Sequence, residues 1–151
     1  MTDIKFTTGY KHPLFQSRCT EYAAVGYIFL KDYLKTITDE EYIIKMKSYY
    51  LGNDGDDRYD PLHYYLEIKI GNQLIVIDND SVWWYSYDYT QRFKPKKIKT
   101  IGIRKIKWIY EETSVLEKYL TSCIIIDLKE IILRFFDNLK LVEKIDYYKN
   151  V

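Results

Sequence analysis

Cysteine, histidine, proline, glycine and alanine are all scarce in this 151-residue chain, which has two, two, three, six and two of them respectively. Cys19 and Cys123 fall in separate apolar segments and form no CxxC and no Cys/His cluster along the sequence, so they read as free buried thiols. The prolines and glycines stand singly, and no Ser/Gly stretch or fixed-period repeat occurs, which leaves residues 1–151 as one domain without a linker. Long apolar runs are absent too: the longest, Tyr22 to Leu30, is interrupted by Gly26 and is too short to span a bilayer. Met1 to Thr8 lacks the basic opening and apolar stretch of a secretory signal, so a cytoplasmic location is expected.

Catalytic motifs are missing in the same way. There is no P-loop, no GxGxxG and no GxSxG, and neither His12 nor His63 has a second ligand at metal spacing on its own element. No cofactor and no metal are expected, and His63 reads as a solvated residue on the polar side of a strand. An enzyme assembled from residues distant in sequence is the smaller reading, because triads are recognised by geometry and not by order.

What is abundant is tyrosine (17), isoleucine (20) and lysine (18 against 5 arginines). Ser17 to Lys35 has the helical spacing of Tyr22, Val25, Phe29 and Tyr33. Thr38-Asp39-Glu40-Glu41 matches a capping box, so a second helix is expected from there to Gly52. The period then becomes two over Leu62 to Ile70, and Gly71-Asn72 is a hairpin signal that sets Ile68 opposite Ile75 and Leu66 opposite Ile77. A turn at Asp78 to Ser81 sets Ile77 opposite Val82 and Ile75 opposite Trp84, completing a meander. Its core face carries Leu66, Ile68, Ile75, Ile77, Val82 and Trp84. Lys96 to Tyr110 reads as further strand with a bulge near Arg104-Lys105, where the apolar parity switches. From about Ser122 a last helix shows Ile124, Leu128, Ile131, Ile132, Phe135, Leu139 and Val142 on one face. Segregated helices and strands make this an α+β fold, with an antiparallel sheet of about four strands between N-terminal and C-terminal helices.

Two charged segments and one aromatic pair bear on function. Asn53 to Asp60 is an acidic loop whose spacing fails the calcium pattern; it reads as a solvated turn or as a patch for a basic partner. Arg92 to Lys107 is basic throughout, which suits edge-strand protection or, less well, single-stranded nucleic acid. The net charge of +1 is far from the footprint of a nucleic-acid binder. Trp83 and Trp84 must point to opposite faces of a strand, so the second face needs a cover. That face and the acidic loop give a candidate partner-binding set: Asp54, Asp56, Asp57, Asp60, Tyr65, Trp83, Tyr85 and Tyr87.

A small, Tyr-, Ile- and Lys-rich α+β chain of this kind resembles the immunity proteins that accompany bacterial polymorphic toxins, including those of contact-dependent growth inhibition systems. The likeness covers size and composition. It implies a cognate toxin, often a nuclease, as partner, and inhibition by occluding the toxin's active site. A phage counter-defence protein shares the same style.

Overall fold

The computed structural model describes residues 13–50, 62–79, 82–83 and 96–149. A single 3-10 turn, Pro13–Phe15, leads into α1 (Cys19–Ile37), and strands β1 (Tyr42–Tyr50), β2 (Leu62–Ile70), β3 (Gln73–Ile77), β4 (Val82–Trp83) and β5 (Lys96–Thr100) follow. Helices α2 (Ile103–Leu116) and α3 (Lys118–Lys149) close the chain. The strands form one antiparallel sheet in the order β4-β3-β2-β1-β5, so the fold is α+β.

The hairpin registers follow from the two-residue period and the turn chemistry. Ile68 pairs with Ile75 and Leu66 with Ile77 across the Gly71-Asn72 turn, and Ile77 pairs with Val82. Gly71 has φ +56, the left-handed geometry that glycine adopts without a Cβ penalty. The expected pairing of Trp84 lies outside the described residues.

Two expectations need correction. The segment after Thr38 is not a second helix but strand β1. Its Ile44, Met46 and Ser48 face inward while Lys45 points out, a period of two that the isolated capping-box motif obscured. Thr38 instead ends α1: its amide donates to the Leu34 carbonyl, and its hydroxyl accepts from the Glu40 amide at 3.1 Å, a turn and not a helix start. Gly52, expected to end that helix, lies outside the described residues. Likewise, of the stretch from Lys96 to Tyr110 expected as strand, Lys96–Thr100 is strand and from Ile103 the chain is α2. The apparent parity switch is a change of period at Gly102, after which Ile106, Ile109 and Thr113 are buried at three- and four-residue steps.

Helix α1 is enclosed on all sides from Tyr22 to Gly26. The chain's two alanines, Ala23 and Ala24, lie here, and small residues let the helix approach its neighbours closely. A Cβ on Gly26 would come within 2.6 Å of Leu66 Cδ1 on the sheet and 3.0 Å of Leu128 Cδ1 on α3. The core joins Met46, Leu66, Ile68, Ile75, Ile77 and Val82 of the sheet to Ile106 and Ile109 of α2 and to Ile124, Leu128, Ile131, Ile132 and Phe135 of α3. The face expected for α3 is thus the buried one; the side chains of Leu139 and Val142 lie outside the described residues. Tyr49, Tyr65 and Val76, on the other face of the sheet, are buried as well, although they do not belong to the cluster that contains the helices.

Candidate functional site

At one end of the sheet, α1 begins, β2 begins and β3 ends. Cys19 is the first residue of α1, His63 the second of β2, and Asp78 follows the last residue of β3. The pairing of Leu66 with Ile77 makes His63 and Asp78 diagonal neighbours on the same face. His63 Nε2 lies 2.9 Å from Asp78 Oδ2, with side chains 14% and 4% exposed. The thiol of Cys19 hydrogen-bonds the same imidazole from α1. Tyr49 packs edge-on against His63 at 5.3 Å and further limits the ring's orientation.

These contacts shift both titrations. Burial alone pulls the imidazole pKa down, but the hydrogen bonds to Asp78 and Cys19, reinforced by the Asp78 charge, outweigh it and raise the value from 6.5 to about 9. Burial alone pushes the Cys19 thiol up. Hydrogen bonds from His63 and from the Tyr64 backbone, the charge on His63 and the Thr20 hydroxyl outweigh that effect, so the thiol falls below its ordinary 9.0. The arrangement therefore favours thiolate and imidazolium together, in a half-buried position at a helix N-terminus where the backbone dipole adds in the same sense. Among the described residues, no group of three or more His, Cys, Asp or Glu is placed to hold a metal ion.

The chain just before Cys19 is held in a demanding conformation. Ser17 has φ 59, in the left-handed region that a non-glycine residue adopts at a cost of order 1 kcal/mol. Two contacts fix this turn. The Phe15 carbonyl accepts from the Arg18 amide at 3.1 Å and from Asn79 Nδ2 at 2.7 Å. Arg18, the N-cap of α1, makes no side-chain cap and leaves the first amides of the helix without a side-chain acceptor. Its guanidinium turns instead to Glu117 at the α2–α3 junction and to Glu21 at 3.4 Å. Asp78 and Asn79 are consecutive, so one turn orients the histidine and also pins the approach to the cysteine.

The solvated reading of His63 is corrected by this geometry: the ring is largely buried and paired on both sides. Cys19, expected in no Cys/His cluster, belongs to one formed in space. Of the sequence-derived partner set, Tyr65 is 3% exposed and packs edge-on against Tyr49 at 5.5 Å, with burial, Glu67 and Tyr49 pushing its pKa upward. Trp83 is in β4 opposite Val76, its side chain outside the described residues. Asp54, Asp56, Asp57, Asp60, Tyr85 and Tyr87 also lie outside them. The basic segment divides, with Lys97 and Lys99 on β5, while Lys105 on α2 reaches the Tyr64 hydroxyl at 3.3 Å. No described helix is long and apolar enough to cross a membrane. Comparison with protein-family models, curated proteins and solved structures finds no match.

Proposed function

We propose that this chain is a cysteine-nucleophile enzyme of acyl transfer, a hydrolase or transferase acting on an amide or ester. The observation that carries this reading is the Cys19–His63–Asp78 relay, with the thiol at the start of a helix and the imidazole ordered by a buried carboxylate. Thiolate, not thiol, is the nucleophile, and the pairing with His63 moves the thiol's pKa down in its favour. Cys19 Sγ would attack the acyl carbon and form a thioester through a tetrahedral oxyanion. The amides at the start of α1, which the Arg18 side chain does not cap, would be the donors to that charge. His63 would give its proton to the departing amine or alcohol, then take one from water or an acceptor amine that attacks the thioester. Asp78 holds the ring in orientation and stabilises the imidazolium. A reducing compartment, such as the cytoplasm, would keep this thiol free.

The inhibitor reading drawn from size and composition rests on Asp54, Asp56, Asp57, Asp60, Tyr65, Trp83, Tyr85 and Tyr87, and Tyr65, whose side chain is described, is buried. The relay does not need it.

Alkylation by iodoacetamide, mapped by mass spectrometry, tests the relay. Cys19 is expected to react faster than Cys123 at pH 7, with its half-maximal rate below pH 9. In His63→Gln that midpoint rises, because the imidazole's hydrogen bond and charge no longer offset burial of the thiol. A p-nitrophenyl acetate incubation should leave an acyl adduct on Cys19, absent from Cys19→Ser. Equal reactivity of the two cysteines at pH 7, with no effect of His63→Gln, would sink the proposal.

A further inference from the structure

The turn that leads into Cys19 passes over three locally favourable choices. Ser17 holds φ 59, a conformation that glycine, unlike serine, adopts without a Cβ penalty. Arg18 occupies the N-cap of α1, where serine, threonine, aspartate or asparagine would satisfy a free amide. Asn79, 3% exposed, donates through Nδ2 to the Phe15 carbonyl, yet its Oδ1 is buried and meets no donor among the described residues. A half-satisfied amide in the interior is destabilising relative to an apolar side chain of the same shape. Departures from local preference that gather on one turn point to a constraint other than stability.

Hydrogen bonds show what is constrained. Phe15 is fixed in the core, its ring edge-on to Tyr22 at 5.2 Å. Its carbonyl takes two donors: the Arg18 amide at 3.1 Å, from the turn itself, and Asn79 Nδ2 at 2.7 Å, from the end of the sheet. The Arg18 carbonyl then accepts from the Tyr22 amide at 3.0 Å and opens α1. Asn79 is the residue after Asp78, whose carboxylate lies 2.9 Å from His63. The segment that orients the imidazole is thus tied, through a buried side-chain hydrogen bond, to the turn that delivers Cys19. We propose that Asn79 is a positioning residue for the nucleophile: its bond to the Phe15 carbonyl holds Ser17 in the left-handed conformation and so sets where the Cys19 thiol stands relative to His63. This role rests on the acyl-transfer reading and adds to it a residue that acts through the backbone.

Asn79→Leu removes the donor and the orphaned oxygen together and puts an apolar group of the same branching in their place, which separates placement of the thiol from stability of the fold. The full chain is treated with iodoacetamide at pH 7, where the Cys19 thiolate displaces iodide and forms a thioether. Its rate is read against Cys123 in the same molecule, and the urea midpoint reports the fold. The Cys19 to Cys123 ratio is expected to fall about tenfold in Asn79→Leu while the midpoint is kept, since a small displacement of a reacting group is enough for such a loss. Ser17→Gly, added to that variant, should restore much of the lost rate, because glycine adopts the left-handed conformation without being held there. A residue that only filled space would not be rescued in this way. If the leucine variant does not fold, Asn79→Ala, which lacks the donor and adds no bulk, takes its place in both measurements. An unchanged ratio in the folded variant, or a loss that Ser17→Gly does not recover, overturns the positioning role and spares the relay. A native Cys19 that reacts no faster than Cys123 overturns both.

Discussion

At the scale of single residues, His63 carries most of the physics. Its imidazolium is stabilised by Asp78 and Cys19 against burial, and its pKa is raised to about 9 in the folded chain. A group with a raised pKa adds stability below its unfolded value of about 6.5, and that stability is lost as pH rises through the folded value. Cys19, whose pKa is lowered, acts in the opposite direction: it adds stability above about 9 and loses it as pH falls through its folded value. In the native protein the two effects partly cancel between these limits. Cys19→Ala removes one of them. Its unfolding free energy, measured by urea denaturation, should fall as pH rises above about 6.5 more than in Cys19→Ala/His63→Gln, because Asp78 still raises the imidazole pKa when the Cys19 contribution is gone. A flat difference between the two variants would mean that His63 is not held protonated. The pair His63–Asp78 was legible in the sequence, since the correctly read hairpin register makes these residues same-face diagonal neighbours. Cys19 was not, because nothing in local spacing tells where the start of α1 docks on the sheet.

At the scale of elements, the boundaries were legible where one strong local signal acted alone and illegible where two competed. The Gly71-Asn72 turn and the alternating strand around it gave β2 and β3 with their register. At Thr38 a capping motif competed with the strand period of Tyr42–Tyr50, and tertiary pairing of β1 with both β2 and β5 decided for the strand. A strand ran into a helix with only two residues, Ile101 and Gly102, between them, so two periods looked like one interrupted pattern. Helix α1 depends on its small residues. Replacing Gly26 by alanine would gain about 1 kcal/mol of helix propensity in an exposed helix. Here the new methyl meets Leu66 and Leu128, both fully buried, and overpacking of this kind costs about 1–3 kcal/mol. A net loss of about 1 kcal/mol, seen as a lower denaturation midpoint, is expected; an increase would show that the two leucines have room to yield.

At the scale of the whole molecule, the helices gather on one face of the sheet, and β5 is its outer strand among the described residues. Exposed Lys97 and Lys99, and an irregular register against β1 between Ser48 and Tyr50, make that edge a poor template for another chain. Lys99→Val combined with Thr100→Val extends the apolar strip begun by Ile98, which is already 46% exposed. Concentration-dependent association in sedimentation velocity is expected for this variant and not for the native chain. Unchanged monodispersity would assign the lysines another role. The turn after β3 has a different consequence. Because Asp78 serves His63 and Asn79 serves the Phe15 carbonyl, a slip of one residue in the β3 ladder would present an amide to the imidazole and a carboxylate to a carbonyl oxygen. Misthreaded molecules would thus be chemically silent even if compact. Counting the thiols that react in the fast phase would then measure what fraction of a preparation has its strands in register.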